Sequence, residues 1–94
     1  MIYNLDCVYD TRKSFYGKAK VNDVYNDNSV LVLISYNTEV AQITKNKNKR
    51  VYNYFGKYSQ TTTRHQKEFF KQNGLNDEEI KDLFKNGKIE KVVF

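Results

Sequence analysis

The sequence predicts an α+β domain, in which an antiparallel sheet of about five strands is combined with two C-terminal helices packed on one face. Three observations support this fold class. Short β-prone segments separated by turn residues occupy the chain up to about residue 58. Two segments with helical spacing of apolar residues and capping signals follow them. The chain has 94 residues and no linker or repeat, so we expect a single domain over residues 1–94.

The predicted strands alternate with short polar turns such as Asn26-Asp27-Asn28. Residues 29–36, with the sequence SVLVLISY, are apolar on both faces and predict a central strand that is covered on both sides. The polar and basic residues 45–50 predict an exposed hairpin loop. The expected strands, of which the last lies at a sheet edge, are residues 2–8, 14–25, 29–36, 39–44, 51–58 and 88–94.

The second predicted strand has a clear alternation of small or apolar residues with polar ones. Phe15 and Gly17 are expected to face the core, whereas Tyr16, Lys18 and Lys20 are expected to face outward. A glycine at an inward position of a strand suggests that another part of the chain approaches closely there. The outward side chains form a candidate contact surface.

Both helices have recognisable ends. Thr63 and Gln66 have the spacing of a capping box for the first helix, and Gly74 is suited to end it. Asn76 is the predicted N-cap of the second helix, and Gly87 lies just past its end. The buried stripe predicted for the second helix contains Ile80, Leu83 and Phe84.

Composition limits the cellular setting. The single cysteine, Cys7, excludes an internal disulfide and fits a reducing compartment. No apolar run reaches the length of a membrane span and no signal peptide precedes the first strand, so we expect a soluble intracellular protein without a membrane partner. The net charge of +5 is compatible with an acidic partner. High Lys, Asn, Tyr and Ile without proline is also typical of AT-rich genomes, so charge alone decides little.

No catalytic constellation stands out in the sequence. Cys7 and His65 are the only residues of their types, but no family signature surrounds either one, and Cys7 lies in an apolar segment. The carboxylates at residues 77–82 are explained by their position at a helix start. Zinc-ligand spacing and glycine-rich phosphate loops are both missing. We therefore expect a protein that is not an enzyme and has no cofactor or metal.

Residues 59–65 place hydroxyl groups and Arg64 at the start of the first helix. Free backbone N–H groups and a cation at a helix N-terminus are the elements of an anion site. Ordinary N-capping, with Arg64 packed or paired locally, explains the same residues. Both interpretations remain open at the level of sequence.

Basic and aromatic residues also interleave at residues 16–20 and 52–58, and the basic 45–50 segment adds to them. Such a pattern is typical of surfaces that stack bases and contact phosphates in single strands. Cross-strand packing of tyrosines whose hydroxyl groups reach water gives the same pattern. The candidate nucleic-acid-binding residues are Lys45, Lys47, Lys49, Arg50, Tyr52 and Tyr54.

Three segments carry a resemblance to a known group of proteins: YDTRKSFYGKA at residues 9–19, SYNTEVAQI at 35–43 and YSQTTTRHQKEFFKQNG at 58–74. They resemble an uncharacterised family of short proteins carried by phages, plasmids and other mobile elements of low-GC Gram-positive bacteria. The resemblance covers about Val8 to Leu75. Related small proteins and fused domains occur near, or within, anti-CRISPR proteins.

The resemblance implies a counter-defence role in the cytoplasm of a bacterial host. The expected function is that of a non-enzymatic inhibitor that binds a CRISPR effector nuclease or its guide RNA complex. The alternative is a small nucleic-acid-binding accessory or regulatory protein. The candidate partner-binding residues are Tyr16, Lys18, Lys20, Tyr58, Arg64 and His65.

Overall fold

The structure is a computed structural model, and it describes residues 1–92. This part of the chain forms six strands and two helices. The strands are β1 (Ile2–Asn4), β2 (Ala19–Asp23), β3 (Val30–Ser35), β4 (Thr38–Lys45), β5 (Lys49–Tyr54) and β6 (Lys88–Val92). The helices are α1 (Gln60–Gln72) and α2 (Asp77–Asn86). The last two residues of the strand predicted at 88–94 lie outside the described residues.

All six strands form one antiparallel sheet in the order β1-β2-β3-β4-β5-β6. Each strand therefore pairs with its neighbour in sequence. The α+β prediction is confirmed: the sheet has six strands, close to the expected number, and the last strand follows the two helices, as the strand expected at 88–94 implied. Within the described residues, no helix is both long and apolar enough to cross a membrane.

One apolar core lies between the sheet and the two helices. Alternating residues of the strands face the helices, because side chains of a strand alternate between the two faces of a sheet. Aromatic residues are prominent in this core, and Tyr52 and Phe70 are fully buried. Its other members include Ala19, Val21, Leu31, Leu33, Ala41, Ile43, Phe69, Ile80 and Leu83.

In the described part of the chain, the opposite face of the sheet carries no second layer of helices. Val32 is buried there by its neighbours in the sheet, whereas Val30 and Ile34 remain half-buried. The prediction that β3 is covered on both sides is therefore wrong. Its continuous apolar run reflects a central position in the sheet and not two covering layers.

Helix α1 begins one turn earlier than the expected capping box. Ser59 is the N-cap, and its Oγ accepts a hydrogen bond of 3.1 Å from the Thr62 backbone N–H. Gln66 is fully buried, and its Nε2 donates to the Val40 carbonyl at 3.0 Å, so it joins α1 to β4. The prediction of a capping box formed by Thr63 and Gln66 is thus wrong.

The ends of the two helices agree with the other capping signals. Leu75 N–H donates to the Phe70 carbonyl at 3.1 Å around Gly74, which has φ +97°, and this forms the glycine stop of α1. Asn76 and Glu79 form a reciprocal capping box at the start of α2. Gly87 ends α2 in the left-handed conformation.

Residues 5–18 form a long connection between β1 and β2. The predicted strand began at Ser14, but β2 begins at Ala19. Gly17 is exposed in a turn with φ +74°, and a Cβ built there would meet nothing within 4 Å. The expected close approach at an inward Gly17 is therefore wrong. This glycine serves a backbone conformation that other residues rarely adopt.

Candidate functional site

Two tight turns lie side by side at one end of the sheet. The first contains Tyr16 and Gly17, with φ of 53° and 74°, and it is closed by a 2.9 Å hydrogen bond from Lys18 N–H to the Phe15 carbonyl. The second joins β3 to β4 through Tyr36 and Asn37, with φ of 50° and 73°. Left-handed conformations at both central positions match the hairpin turns that favour Asn and Gly.

A backbone hydrogen bond holds these two turns together. The Tyr36 N–H donates to the Lys18 carbonyl at 3.0 Å. Between the turns lies an open cleft of about 300 Å³, lined in part by Lys18, Lys20 and Ile34. Tyr16 is 76% exposed and Tyr36 is 50% exposed. We call Tyr16, Lys18, Lys20 and Tyr36 the tyrosine-turn surface.

The tyrosine-turn surface agrees with part of the predicted contact residues. Tyr16, Lys18 and Lys20 are exposed, as the alternation suggested, although a turn and not a strand presents Tyr16. Neither lysine forms an ion pair with any residue between 1 and 92. Sequence reasoning missed Tyr36. The available signal was its position in the tight turn that precedes Thr38.

His65 lies beneath this surface and does not belong to it. Its side chain is buried, and its Nδ1 is 2.8 Å from Ser35 Oγ. Ser35 Oγ is in turn 2.9 Å from Thr62 Oγ1. The ring packs against Phe15, with 4.6 Å between centroids, and against Tyr36 at 5.8 Å. The prediction that His65 contacts a partner is therefore wrong.

The environment of His65 favours its neutral form. Burial lowers the pKa of this imidazole, and the guanidinium of Arg12 lowers it further, whereas Asp10 acts in the opposite direction. Ser35 and His65 have the hydrogen bond of a nucleophile and base, but both side chains are buried in the core. Their role visible in the structure is to tie β3 to α1.

A buried carboxylate anchors the long connection to α1. Glu68 is 2% exposed, and its Oε1 accepts hydrogen bonds from the Tyr9 and Asp10 backbone N–H groups at 2.9 and 2.8 Å. Gln72 Nε2 donates to Glu68 Oε2 at 2.6 Å. Sequence reasoning missed Glu68. Its place between Lys67 and two phenylalanines was the only sequence signal for an inward orientation.

Arg64 and Tyr58 are exposed, but neither lines the cleft of the tyrosine-turn surface. Arg64 Nη1 is 3.6 Å from Asp10 Oδ1, so this guanidinium pairs locally, as the capping interpretation of residues 59–65 proposed. It lines a different cleft, beside Glu68 and Lys67. Tyr58 is 50% exposed in the connection between β5 and α1. The six predicted partner-binding residues therefore do not form one surface.

The 45–50 segment is a strand hairpin and not an exposed loop. Lys45 ends β4, and Lys49 and Arg50 begin β5, so only residues 46–48 form the turn, with Lys47 exposed at its tip. Burial lowers the pKa of Lys45, and the nearby Arg50 lowers it further. Because strand residues alternate, Lys49 and Arg50 point to opposite faces of the sheet.

The contacts of these side chains separate the predicted nucleic-acid residues. Lys49 Nζ pairs with Glu90 at 2.9 Å on the open face, and Arg50 Nη1 donates to the Asn73 carbonyl at 3.3 Å on the helix face. Tyr52 is fully buried and donates its hydroxyl to the same carbonyl at 2.7 Å, so its proposed contact with bases is wrong. Tyr54 is half-buried and stacks on Phe84.

Cys7 is half-buried in the long connection. Burial raises the pKa of its thiol, and the carboxylates of Asp10 and Glu68 raise it further. Across residues 1–92, no group of three or more His, Cys, Asp or Glu side chains is arranged to hold a metal ion.

The fold and its exposed turns define a small α+β domain, built as a sequential antiparallel sheet with two helices on one face. Residues 3–86 match the model of the family of unknown function DUF8033. Because this match covers most of its length, the chain belongs to that family. No curated protein and no solved structure matches the chain.

Proposed function

We propose that this chain is a non-enzymatic binding protein of a mobile genetic element that inhibits a host defence component. Its most suitable target is a CRISPR effector nuclease, which would make it an anti-CRISPR protein. The observation that carries the proposal is the exposure of Tyr16 and Tyr36 at two left-handed turns beside Lys18 and Lys20. The resemblance of three sequence segments to mobile-element proteins supports the choice of target.

Tyrosines at these turns have a conformational cost. An L-residue other than Gly, Asn or Asp in the left-handed region is less stable by about 1 kcal/mol. Tyr16 recovers little of this cost from packing, since it is 76% exposed. Strain combined with an exposed aromatic ring motivates a functional hypothesis, because tyrosine is enriched among residues that dominate binding energy.

The charge of the surface indicates the kind of partner. Lys18 and Lys20 flank the cleft between the turns, and neither is neutralised by an ion pair within residues 1–92. A basic surface with aromatic anchors complements an acidic protein surface. It is poorly suited to the positively charged DNA channel of an effector nuclease. Docking on an acidic protein face, or on the guide RNA that it holds, would block target binding or the conformational change before cleavage.

The test combines an interference assay with a purified complex. Bacteria with an active CRISPR effector are challenged with a targeted phage, with and without the chain, and plaque numbers are counted. We expect the chain to restore plaques and to co-elute with the purified effector in size-exclusion chromatography. Tyr16→Asn is expected to weaken the complex at least tenfold. Tyr25→Asn is the matched control, since Tyr25 is 68% exposed at the other end of the sheet.

Three outcomes would contradict the proposal. The first is that the chain fails both to restore plaques and to form a complex with the effector. The second is that Tyr16→Asn and Tyr25→Asn behave alike. The third is tight binding of labelled oligonucleotides with a steep salt dependence, without any complex with the effector, which would favour the alternative nucleic-acid-binding role.

A further inference from the structure

A second cleft, distinct from the tyrosine-turn surface, lies between the start of α1 and the end of α2. Its volume is about 370 Å³, within the range of small-molecule sites. Tyr54 of β5 and Phe84 of α2 contribute its aromatic part. Their rings are stacked, with centroids 4.3 Å apart and planes 20° from parallel. Both side chains are half-buried, so part of this stacked pair borders the cleft.

Cations surround the aromatic pair on the side of α1. Lys57, Arg64 and Lys67 line the cleft and all three are exposed, and no carboxylate of residues 1–92 lines it. Lys57 and Lys67 form no ion pair with any residue from 1 to 92, while the partner of Arg64 is Asp10, at the long connection. The local field therefore favours an anion.

The adjoining cleft provides an internal comparison. It shares Lys67 and Phe84 with the cleft bordered by Tyr54 and has a volume of about 530 Å³. Asp77 and Glu78 line it, so its cations are opposed by carboxylates. An anionic group is consequently favoured at the end bordered by Tyr54 and disfavoured at the other end.

The polar groups at the mouth of the cleft bordered by Tyr54 add to this preference. Gln60 and Thr63, from the first turn of α1, line it. That first turn contains no acidic side chain, so the positive end of the helix dipole is not neutralised there. The amide and hydroxyl groups can hydrogen-bond to an oxygen-rich ligand.

We propose that this cleft binds a nucleotide, either free or at the phosphorylated end of a single strand. A flat base would pack against the Tyr54–Phe84 pair, since stacking on aromatic side chains is tolerant of base identity. Its phosphate would lie among Lys57, Arg64 and Lys67. This site is separate from the docking function proposed above and does not depend on it.

The proposal is tested by NMR titration of the full chain with four probes: ADP, adenosine, inorganic phosphate and a 5′-phosphorylated six-nucleotide thymidine strand. Either ADP or the strand should bind saturably and shift the ring resonances of Tyr54 and Phe84. The tighter of the two identifies the source of the nucleotide. Adenosine and phosphate alone should each bind more weakly, because each offers only half of the contacts.

Substitutions then locate the site. Lys57→Ala and Lys67→Ala should each weaken binding about two- to fivefold, and adding salt should reduce the affinity of the unmodified chain. Lys85→Ala is the matched control, because Lys85 is exposed on α2 and does not line the cleft, and it should leave affinity unchanged. Absence of saturable binding by both ADP and the strand would overturn the proposal. Equal effects of Lys67→Ala and Lys85→Ala would also overturn it, as would phosphate binding as tightly as ADP.

Discussion

The two ends of the sheet use left-handed backbone conformations but place different residues in them. At the end that joins β2 to β3, Asn26 and Asn28 have φ of 60° and 67°. At the opposite end, Tyr16 and Tyr36 have φ of 53° and 50°. We call these the asparagine end and the tyrosine end of the sheet. Asparagine tolerates this region because its short side chain hydrogen-bonds locally, whereas the bulky tyrosine does not.

The asparagines suit the stability of their turn, whereas the tyrosines are the residues that binding would use. The asparagine end is held by polar groups: the Asp23 carboxylate accepts a hydrogen bond from Asn28 N–H at 3.1 Å, and Asn26 Oδ1 accepts one from the Met1 amino group at 2.6 Å. The tyrosine end is instead packed against α1, since His65 lies beneath Tyr36 and Phe15. We therefore expect mutations of the supporting residues to affect the tyrosine end selectively.

The largest effect is expected for Glu68→Ala. Two N–H groups, those of Tyr9 and Asp10, lose their hydrogen bonds to a buried carboxylate. We expect the free energy of unfolding, measured by urea denaturation, to fall by about 3 kcal/mol, because hydrogen bonds to charged groups are each worth about 1.5–3 kcal/mol. Glu39→Ala, at an exposed position of β4, is the control and should change stability by less than about 0.5 kcal/mol.

A loss for Glu68→Ala no larger than that for Glu39→Ala would show that the long connection is not held by this carboxylate. Amide hydrogen exchange adds spatial detail to the same variant. The Tyr9 and Asp10 amides should exchange faster in Glu68→Ala, whereas the Asn28 amide, at the asparagine end, should be unaffected.

The second-largest expected effect is a loss of stability in acid that originates at the tyrosine end. His65 is the only histidine, and burial lowers its pKa in the folded state below that in the unfolded state. The unfolded chain therefore binds more protons as the pH falls below about 6.5, and the free energy of unfolding should decrease there. For one proton, the free energy of unfolding cannot change by more than about 1.4 kcal/mol per pH unit. Above pH 7, His65 should contribute no further change in stability with pH.

Urea denaturation at pH 7.5, 6.5, 5.5 and 5.0 measures this dependence. The variant His65→Gln retains an amide that can hydrogen-bond to Ser35 but does not titrate in this range. It should show a flatter profile between pH 7 and 5. Identical profiles for the two proteins would mean that His65 does not determine the acid sensitivity.

The third effect has the opposite sign. Tyr16→Asn should raise the free energy of unfolding by about 1 kcal/mol, since it relieves the left-handed conformation of a tyrosine that is 76% exposed. Tyr25→Asn makes the same chemical change at a residue without positive φ, and it should have almost no effect. Thermal unfolding of the two variants measures the difference, and a destabilised Tyr16→Asn would contradict the strain argument.

The smallest effect is expected from the reverse exchange at the asparagine end. Asn28→Tyr should lower stability by about 0.5–1 kcal/mol and leave effector binding unchanged, because Asn28 lies away from the tyrosine-turn surface. Denaturation and the size-exclusion assay report the two properties separately. Loss of effector binding in Asn28→Tyr would show that the docking surface extends to the asparagine end of the sheet, which would contradict its proposed location.

Local signals were sufficient to predict α2. Its Asn76 cap and its Gly87 stop depend on backbone conformations within a few residues, and the structure has both. The first residue of α1 could not be predicted, because the segment from Ser59 to Thr63 offers four hydroxyl side chains for one N-cap. The sequence could not indicate which of them takes the N-cap position.

The long connection could not be predicted, because its conformation is determined by residues distant in sequence. Alternation of Phe15 and Gly17 favours a strand locally, but Glu68, 58 residues after Asp10, holds the chain in another path. Likewise, alternation in β5 shows that Tyr52 and Tyr54 share a face, but it does not show that the helices cover that face. The exposure of Tyr16 and Lys18 was predictable, whereas their pairing with Tyr36 was not.

The pairing of Glu68 with residues 9 and 10 also orders events during folding. The strands from β2 to β5 each pair with their sequence neighbour across short connections, so this part of the sheet can form through short loop closures. The Glu68 contact instead joins positions 58 and 59 residues apart and needs α1. We therefore expect the tyrosine end to acquire its final shape only after α1 docks, later than the hairpins of the sheet.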